Sequence, residues 1–487
     1  MLTNTKISSP RINTNAELRQ KHLQALSDRY NQRTKTSKQN TQTYRSVLAD
    51  PRVPQWFDAS VKEMCYLLVA KKAFGSKVWD LDGNEYIDII MGFGSNLLGH
   101  NPPFVKEAIA EQVEKGFPLG PQSEDVGEVA KLISELTGME RVAFSNTGTE
   151  AVMTAIRLAR SQTKRKKIAI FTNSYHGHAD GVFVRSRGLK LANILKKLGG
   201  NIITSQINSQ ALPKSPGIPE SATKDTLILE YGNPKSLDLI RANREKLAAV
   251  LVEPVQTGNP ALQPKEFLHQ LRQLTQKSEI ALIFDEMVTG FRLHQGGAQT
   301  WFGVEADIAT YGKVVGGGMP MSIIAGKRAY LDRVDGGMWN YGDSSFPQVE
   351  RTMFAGTYCK HPLAIAASKA VLKYLKECGP ALQEQLNQKT AQFVEKLNIL
   401  YEAKKLPLKM ANFGSFFGPV ITENIADENL LMEFGLLRYH LFDRGILLRG
   451  EGGGFLSTAH TDEDINTIVQ AFQESITELQ ENGFLRL

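Results

Sequence analysis

A chain of 487 residues, 42% hydrophobic and 22% charged, has the composition of a globular enzyme and is too long for one simple domain. Its net charge of +6 is spread along the chain, which argues against a nucleic-acid partner. No apolar run approaches the roughly 18 residues of a membrane span, and Cys65, Cys359 and Cys378 have neither a disulfide framework nor a metal-ligand spacing. The start, Met1 to Lys6, lacks a hydrophobic signal core, so a reducing, cytoplasmic location is expected.

The first 16 residues are polar and read as a disordered lead. Residues 16–34 carry Leu18, Leu23, Leu26 and Tyr30 near helical spacing among polar residues, an amphipathic helix. A helix packed on its own chain and a docking helix for a neighbouring protein both fit. Residues 35–43 are polar again and read as linker. The expected organisation is 1–43 lead, helix and linker; 44–105 first part of a small domain; 106–345 a large domain; and 346–487 the rest of the small domain.

The globular part opens with strand, turn and strand over 73–88, the turn at Asp82-Gly83-Asn84. A glycine-rich loop, 91–102, and a helix, 103–115, follow. Residues 124–137 place Val126, Val129, Leu132, Ile133 and Leu136 on one helical face. The strand 141–144 leads through Ser145-Asn146-Thr147-Gly148-Thr149-Glu150-Ala151 into the helix 152–160. Free N–H groups and the helix dipole at such a turn suit a phosphate. Thr147 and Glu150 also have the spacing of a capping box, which is compatible with that role.

Strand 167–171 runs into Tyr175-His176-Gly177-His178, where Tyr175 has a ring to stack on a flat cofactor. His176 and His178 lack a third ligand at zinc spacing, so no metal is expected. Residues 205–223 read as a surface loop. Strand 226–230, helix 234–246, strand 248–252 ending at Glu253, and helix 267–276 complete an alternation that calls for α/β architecture, a mostly parallel sheet with helices on both faces.

The apolar run 280–284 then ends in Asp285, within Asp285-Glu286-Met287-Val288-Thr289-Gly290-Phe291-Arg292. A second run, 306–311, ends at Gly312-Lys313 before a glycine triplet. Ligands of α/β sheets sit outside strand C-termini. An acid and a lysine placed there are what pyridoxal phosphate chemistry needs: the acid keeps the pyridine nitrogen protonated and the lysine makes the Schiff base. Further on, helices over 362–378, 382–403 and 462–482 and short strands at 409–412, 416–422, 445–448 and 455–457 read as a separate α+β domain.

These motifs, with Glu253-Pro254-Val255-Gln256 and Phe354-Ala355-Gly356-Thr357, occur in the order seen in one family. Residues 44–480 resemble the class III, fold-type I aminotransferases. Within these they are most similar to glutamate-1-semialdehyde 2,1-aminomutases and the aminotransferase modules of polyketide and peptide synthases. The resemblance implies that Lys313 is the Schiff-base lysine and proton shuttle, and that Asp285 pairs with the pyridinium nitrogen. It implies that Tyr175 stacks on one ring face and Met287 packs on the other. Thr147, Gly148 and Thr149 form the phosphate turn, with His176 alongside in the cofactor site. Thr357 is implied to reach the phosphate of a partner subunit, making the active unit a homodimer. Gln256 is similar to a glutamine that contacts the cofactor phenolic oxygen, with Glu253 beside it as a cofactor-site or structural acid.

Aminomutases usually lack that glutamine and carry an acid in the C-terminal Gly-Phe loop, which here reads Leu448-Arg449-Gly450-Glu451-Gly452-Gly453-Gly454-Phe455. Both departures favour an intermolecular transaminase over an aminomutase. Arg449 suits either a carboxylate contact or a plain surface position. Arg29-Tyr30-Asn31-Gln32-Arg33-Thr34 and Ser37-Lys38-Gln39 resemble the linker before synthase aminotransferase modules. The expected donor is therefore an amino acid, glutamate, and the expected acceptor a β-ketoacyl chain on an acyl carrier protein or neighbouring module. A non-catalytic scaffold would need a missing lysine or acid, and both are present. A dinucleotide dehydrogenase would need a G-x-G-x-x-G pattern that the 145–151 turn does not have.

Overall fold

The computed structural model describes residues 14–55, 57–186, 210–421, 428–450 and 452–485. The polar lead, the start of the 205–223 loop, and Glu451 lie outside the described residues.

Sixteen strands are described. The first eight are β1 (Ala70–Phe74), β2 (Lys77–Asp80), β3 (Glu85–Asp88), β4 (Arg141–Ser145), β5 (Lys167–Phe171), β6 (Val184–Ser186), β7 (Ala211–Pro213) and β8 (Thr226–Leu229). The rest are β9 (Leu247–Val252), β10 (Ala281–Asp285), β11 (Ile308–Tyr311), β12 (Ser322–Gly326), β13 (Leu408–Phe413), β14 (Phe416–Ile421), β15 (Ile446–Leu447) and β16 (Gly454–Phe455). Seven form one sheet in the order β4-β12-β11-β10-β9-β5-β8. Only β12 runs against its neighbours in that sheet.

Every residue of β9, β10, β11 and β12 is buried, as strands covered on both faces require. Alternation sorts them. Ala281 and Ile283 join an apolar layer with Ala151 and Ile156 of the helix Gly148–Thr163. Leu282 and Phe284 join the opposite layer, which continues into the rest of the core. With period two, Asp285 falls on the face that carries the helix Gly148–Thr163. On β11, Ile308 lies on that same face and Ala309 on the other, so Thr310 faces Asp285.

Three smaller sheets accompany this one, β1-β2-β3-β15, β13-β14-β16 and the pair β6-β7. The parallel pair of β3 with β15 joins segments from the two ends of the chain.

Three sequence expectations change. Residues 35–43 are not a linker, since Lys35–Tyr44 is helical. This helix has no apolar stripe. It is held by polar contacts: Thr36 N–H and Oγ1 donate to Asp82, and Val69 N–H donates to the buried Ser37 Oγ at 3.1 Å. The single turn predicted over 73–88 becomes three strands, with an added tight turn at Gly75-Ser76 between β1 and β2. β12 and the helix Glu428–Asp443 were not foreseen.

The amphipathic helix Thr14–Arg33 packs on its own chain. Leu26 and Tyr30 are fully buried, Tyr30 meets Tyr439 edge-on, and Arg29 pairs with Asp443 and Glu478.

Candidate active site

Five strand ends converge on one crevice: those of β4, β5, β9, β10 and β11. Asp285 closes β10 and is buried. Its Oδ2 accepts from His176 Nδ1 at 2.8 Å, and its Oδ1 accepts from Thr310 Oγ1 at 3.2 Å and from Met287 N–H at 3.3 Å. Three donors fix the orientation of the carboxylate. His176 is itself buried, and its Nε2 has no hydrogen-bond partner among the described residues.

Lys313 follows β11, whose Thr310 stands opposite Asp285. Its backbone is left-handed, with φ +49°, a conformation that a lysine adopts only when its surroundings impose it. Its side chain is half-buried. Burial lowers its amine to about 8; Glu253 and Asp285 act against that shift, while the Arg449 and Arg292 charges add to it. The neutral, nucleophilic form of the amine is therefore far more populated near physiological pH than that of an exposed lysine.

At the end of β4, Thr147 caps the helix Gly148–Thr163. Its hydroxyl accepts from Glu150 N–H, and Glu150 reaches back to Thr147 N–H at 3.0 Å. The capping box therefore forms, and the first-turn N–H groups that no helical carbonyl satisfies face the crevice. Gly148 and Gly312 crowd Met287 from two sides: a Cβ at Gly312 would lie 2.7 Å from the sulfur, and one at Gly148 3.1 Å. Met287 thus fills the floor of the crevice, and the two glycines leave it that room.

Tyr175 stands at the mouth, largely exposed, with its N–H donating to Glu253 Oε2 at 3.3 Å. Glu253 Oε1 accepts from Thr257 N–H and Oγ1. Burial raises the Glu253 carboxyl. Glu253 therefore serves as the bracket that ties the Tyr175 loop to the 257 turn. Gln256 is buried, and its Nε2 donates to Thr172 O at 2.7 Å and Ser174 Oγ at 2.8 Å. Both amide protons are engaged, so a bond from Gln256 to a cofactor oxygen requires giving one up. Thr149 Oγ1 accepts from His178 N–H at 3.3 Å, linking the turn after β4 to the loop after β5.

Thr357 is exposed on a loop anchored by Arg157 Nη1 to Met353 O at 2.7 Å, and by Asn146 Nδ2 to Cys359 Sγ at 3.8 Å. The structure thus brings Thr147, Gly148, Thr149, Tyr175, His176, Glu253, Gln256, Asp285, Met287 and Lys313 to one crevice, with Thr357 on the surface, its loop tied through Cys359 to Asn146 of the 145–149 turn.

Sequence reasoning missed Thr310 and Thr257, whose roles depend on strand register and turn geometry rather than on motif. It also missed how Arg292 works. Fully buried without a carboxylate partner, Arg292 donates to Gly94 O, Ser415 Oγ and Leu456 O, and burial lowers it to about 9. Away from the crevice, His22, His440 and Glu478 gather where the first and last helices meet, His22 Nε2 lying 3.1 Å from His440 Nε2. Arg29 and Arg444 already pair with Glu478, which opposes a cation there.

The family description "Aminotransferase class-III" matches residues 58–476. A glutamate-1-semialdehyde 2,1-aminomutase from Acetivibrio thermocellus is 39% identical over 411 residues, covering 82% of this chain and 88% of its own. Among solved structures, an omega-transaminase from Sphaerobacter thermophilus aligns at 25% identity with a TM-score of 0.79, covering 91% of this chain and 97% of that one. A glutamate-1-semialdehyde aminomutase from Pseudomonas aeruginosa PAO1 aligns at 23% identity and TM-score 0.77 over 95% and 99%. The fold they share with this chain is that of the fold-type I transferases.

Proposed function

The chain belongs to the class III aminotransferases, and from that premise we propose that it moves an amino group from glutamate to a β-ketoacyl thioester on an acyl carrier protein, in polyketide or peptide natural-product assembly. The protein is a pyridoxal phosphate-dependent enzyme. The observation that carries the reading is the placement of Asp285 and Lys313 at the tips of the adjacent strands β10 and β11.

The residues present fit the cofactor. Asp285 offers a buried carboxylate to a protonated ring nitrogen. The capped helix start at Gly148 and Thr149 offers N–H donors to a phosphate. Tyr175 and Met287 offer an aromatic face and a soft apolar one. The unpartnered His176 Nε2 leaves a polar atom available at the inner wall. When bound, pyridoxal phosphate supplies the carbonyl that captures an amine and the conjugated ring that withdraws electrons from the substrate carbon.

The chain's residues do the rest. Asp285, oriented by His176 and Thr310, would hold the cofactor's ring nitrogen in its protonated form. Lys313 has an amine near pH 8 that takes the proton from the donor's α-carbon and returns it to the acceptor side. Glu253 and Gln256 hold the Tyr175 loop at the rim.

The acceptor assignment is supported by the sequence resemblance of residues 29–39 to the segment before synthase aminotransferase modules, although in this chain that segment is helical and packed on the chain itself. A homodimer is supported by the exposed apolar residues around Thr357, with Tyr341, Phe346, Met353 and Tyr358 all turned outward. No helix among the described residues is long and apolar enough to cross a membrane, and a cytoplasmic location is proposed with the rest.

The test is a carrier protein loaded with a 3-oxoacyl group, incubated with holoenzyme and glutamate. Mass spectrometry should find the 3-amino acyl product, and no amine with any donor overturns the carrier reading. A second reading is an intramolecular aminomutase, favoured by the name of the 39% identical relative. It requires turnover of an amino aldehyde without any donor.

A further inference from the structure

A cavity of about 920 Å³ lies between the helix Lys35–Tyr44, the segment after it, β1 to β3 and the helix Glu428–Asp443. Its wall is mainly apolar, with Leu48, Val53, Leu68, Val78, Ile90 and Phe442 among its lining. Its two buried acids are paired: Asp80 accepts from Tyr86 OH and Asn84, and Asp88 accepts from His100 and Ile90 N–H. Arg45, Arg52 and Arg438 also line it, and the rest of the wall offers the mainly apolar surface that suits an alkyl guest.

A second cavity of about 670 Å³ adjoins it, and the two share Arg52, Phe93, Arg438, Tyr439 and Gly450 in their walls. The second cavity adjoins the rim of the reaction crevice: Thr257, which lines it, donates its hydroxyl to Glu253 Oε1, and Arg449 lines it as well. Arg52 and Phe93, common to both walls, form the neck where the two cavities meet.

The neck is built from an unusual turn. Met91, Gly92, Phe93 and Gly94 have φ of 45°, 58°, 55° and 94°, four successive left-handed residues of which two are not glycine. Non-glycine residues hold that conformation at a cost and persist where the surroundings fix them. Arg292 is one of the contacts on this turn, donating to Gly94 O at 2.9 Å through Nη2, and Asp88 accepts from Met91 N–H. The same stretch that supplies Asp285 is therefore tied to the turn that carries Phe93.

We propose that this chamber receives the apolar tail of a long-chain acyl substrate whose keto carbon is presented to Lys313. The inference rests on the acceptor reading above and specifies its substrate class: a medium or long alkyl chain rather than a short ketoacid.

The test measures binding and turnover separately on the holoenzyme. Calorimetry compares the pantetheine thioesters of 3-oxobutanoate and 3-oxododecanoate, without donor, on wild type and on Ala49→Trp and Ala70→Trp. Both alanines are exposed and line the chamber, so a bulky ring can fill it without disturbing the core. The proposal expects the long chain to bind at least about tenfold tighter in wild type, well within what buried methylenes supply. It expects either substitution to abolish that gain while leaving the short thioester unaffected. Equal affinity for both chains, or a gain that survives both substitutions, overturns it. Loss of the dimer in Leu48→Ser, seen by sedimentation, together with equal affinities assigns the chamber to subunit contact and also overturns it. A gain in binding with no amine from any thioester upholds the chamber and rejects the acceptor reading. Amine formation with no chain-length gain does the reverse.

Discussion

His176 and Asp285 share a buried 2.8 Å hydrogen bond between Nδ1 and Oδ2, joining the exits of β5 and β10. Because the carboxylate accepts, Nδ1 must donate, and the bond fixes both the imidazole tautomer and the direction of the acid. The pair directs the Asp285 carboxyl into the crevice, where the proposed cofactor nitrogen would meet it. Asp285→Asn keeps the shape and removes the charge. Its kcat should fall by about a hundredfold or more with the fold intact by circular dichroism, as loss of an electrostatic group in a dry site does. His176→Leu should cost less, about tenfold, because Thr310 and Met287 N–H still hold the acid.

Lys313 gives a pH signature. Its amine must be neutral to attack a carbonyl, and burial places it at about 8. The rate at which apoprotein takes up pyridoxal phosphate should therefore rise with pH and level off above about 8. Arg449 lowers the proton affinity of Lys313, so Arg449→Ala should move the midpoint to higher pH. Stopped-flow absorbance checks both statements.

Acid should weaken the fold in a defined window. Burial lowers His22 from 6.5 to about 4, chiefly by desolvation and then by the neighbouring His440, with Arg29 and Arg444 adding to it and Glu478 opposing. His460 is likewise held at about 4 by burial. A histidine whose folded value lies below its unfolded one binds more protons when unfolded. Its stabilising contribution is therefore complete above pH 6.5 and is lost as pH falls toward 4. Glu478, held down by His440 and Arg444, contributes above its ordinary value and weakens below it. Denaturant midpoints should fall steadily between pH 6.5 and 4, with the first helix, tied down through His22, exchanging its amides earliest.

Arg292 should behave as a structural tie. Removing its guanidinium strands the carbonyls of Gly94 and Leu456 in a dry interior. Each acceptor left unpaired costs about 1–3 kcal/mol, so Arg292→Met should destabilise by about 3 kcal/mol or more in urea unfolding. The same variant releases the 91–94 turn, so it should lose activity beyond what its stability explains.

Much of the fold was legible because the central strands are buried on both faces and write themselves as apolar runs. The 103–115 helix was read to the residue, opened by Pro103 and closed by Gly116. The missed parts lack such signals. Ser322-Ile323-Ile324-Ala325-Gly326 is five residues long, lies among glycines, and is a strand only because β4 and β11 flank it. Lys35–Tyr44 has no apolar residue before Tyr44, and its helicity comes from Asp82 and Ser37 contacts far apart in sequence. Glu428–Asp443 mixes leucines, Met432 and Phe434 around much of its circumference, which blurs the helical period. In the site, the acid and the lysine were readable at strand ends. Thr310 and the double engagement of Gln256 were not, since both follow from register and loop packing.

The measurement that tests the account most directly mixes holoenzyme with glutamate alone and follows the cofactor absorbance together with released 2-oxoglutarate. The account predicts one equivalent of 2-oxoglutarate per active site as the cofactor passes to its aminated form, and no such exchange in Lys313→Ala. An enzyme that leaves glutamate untouched while isomerising an amino aldehyde without any donor would contradict it.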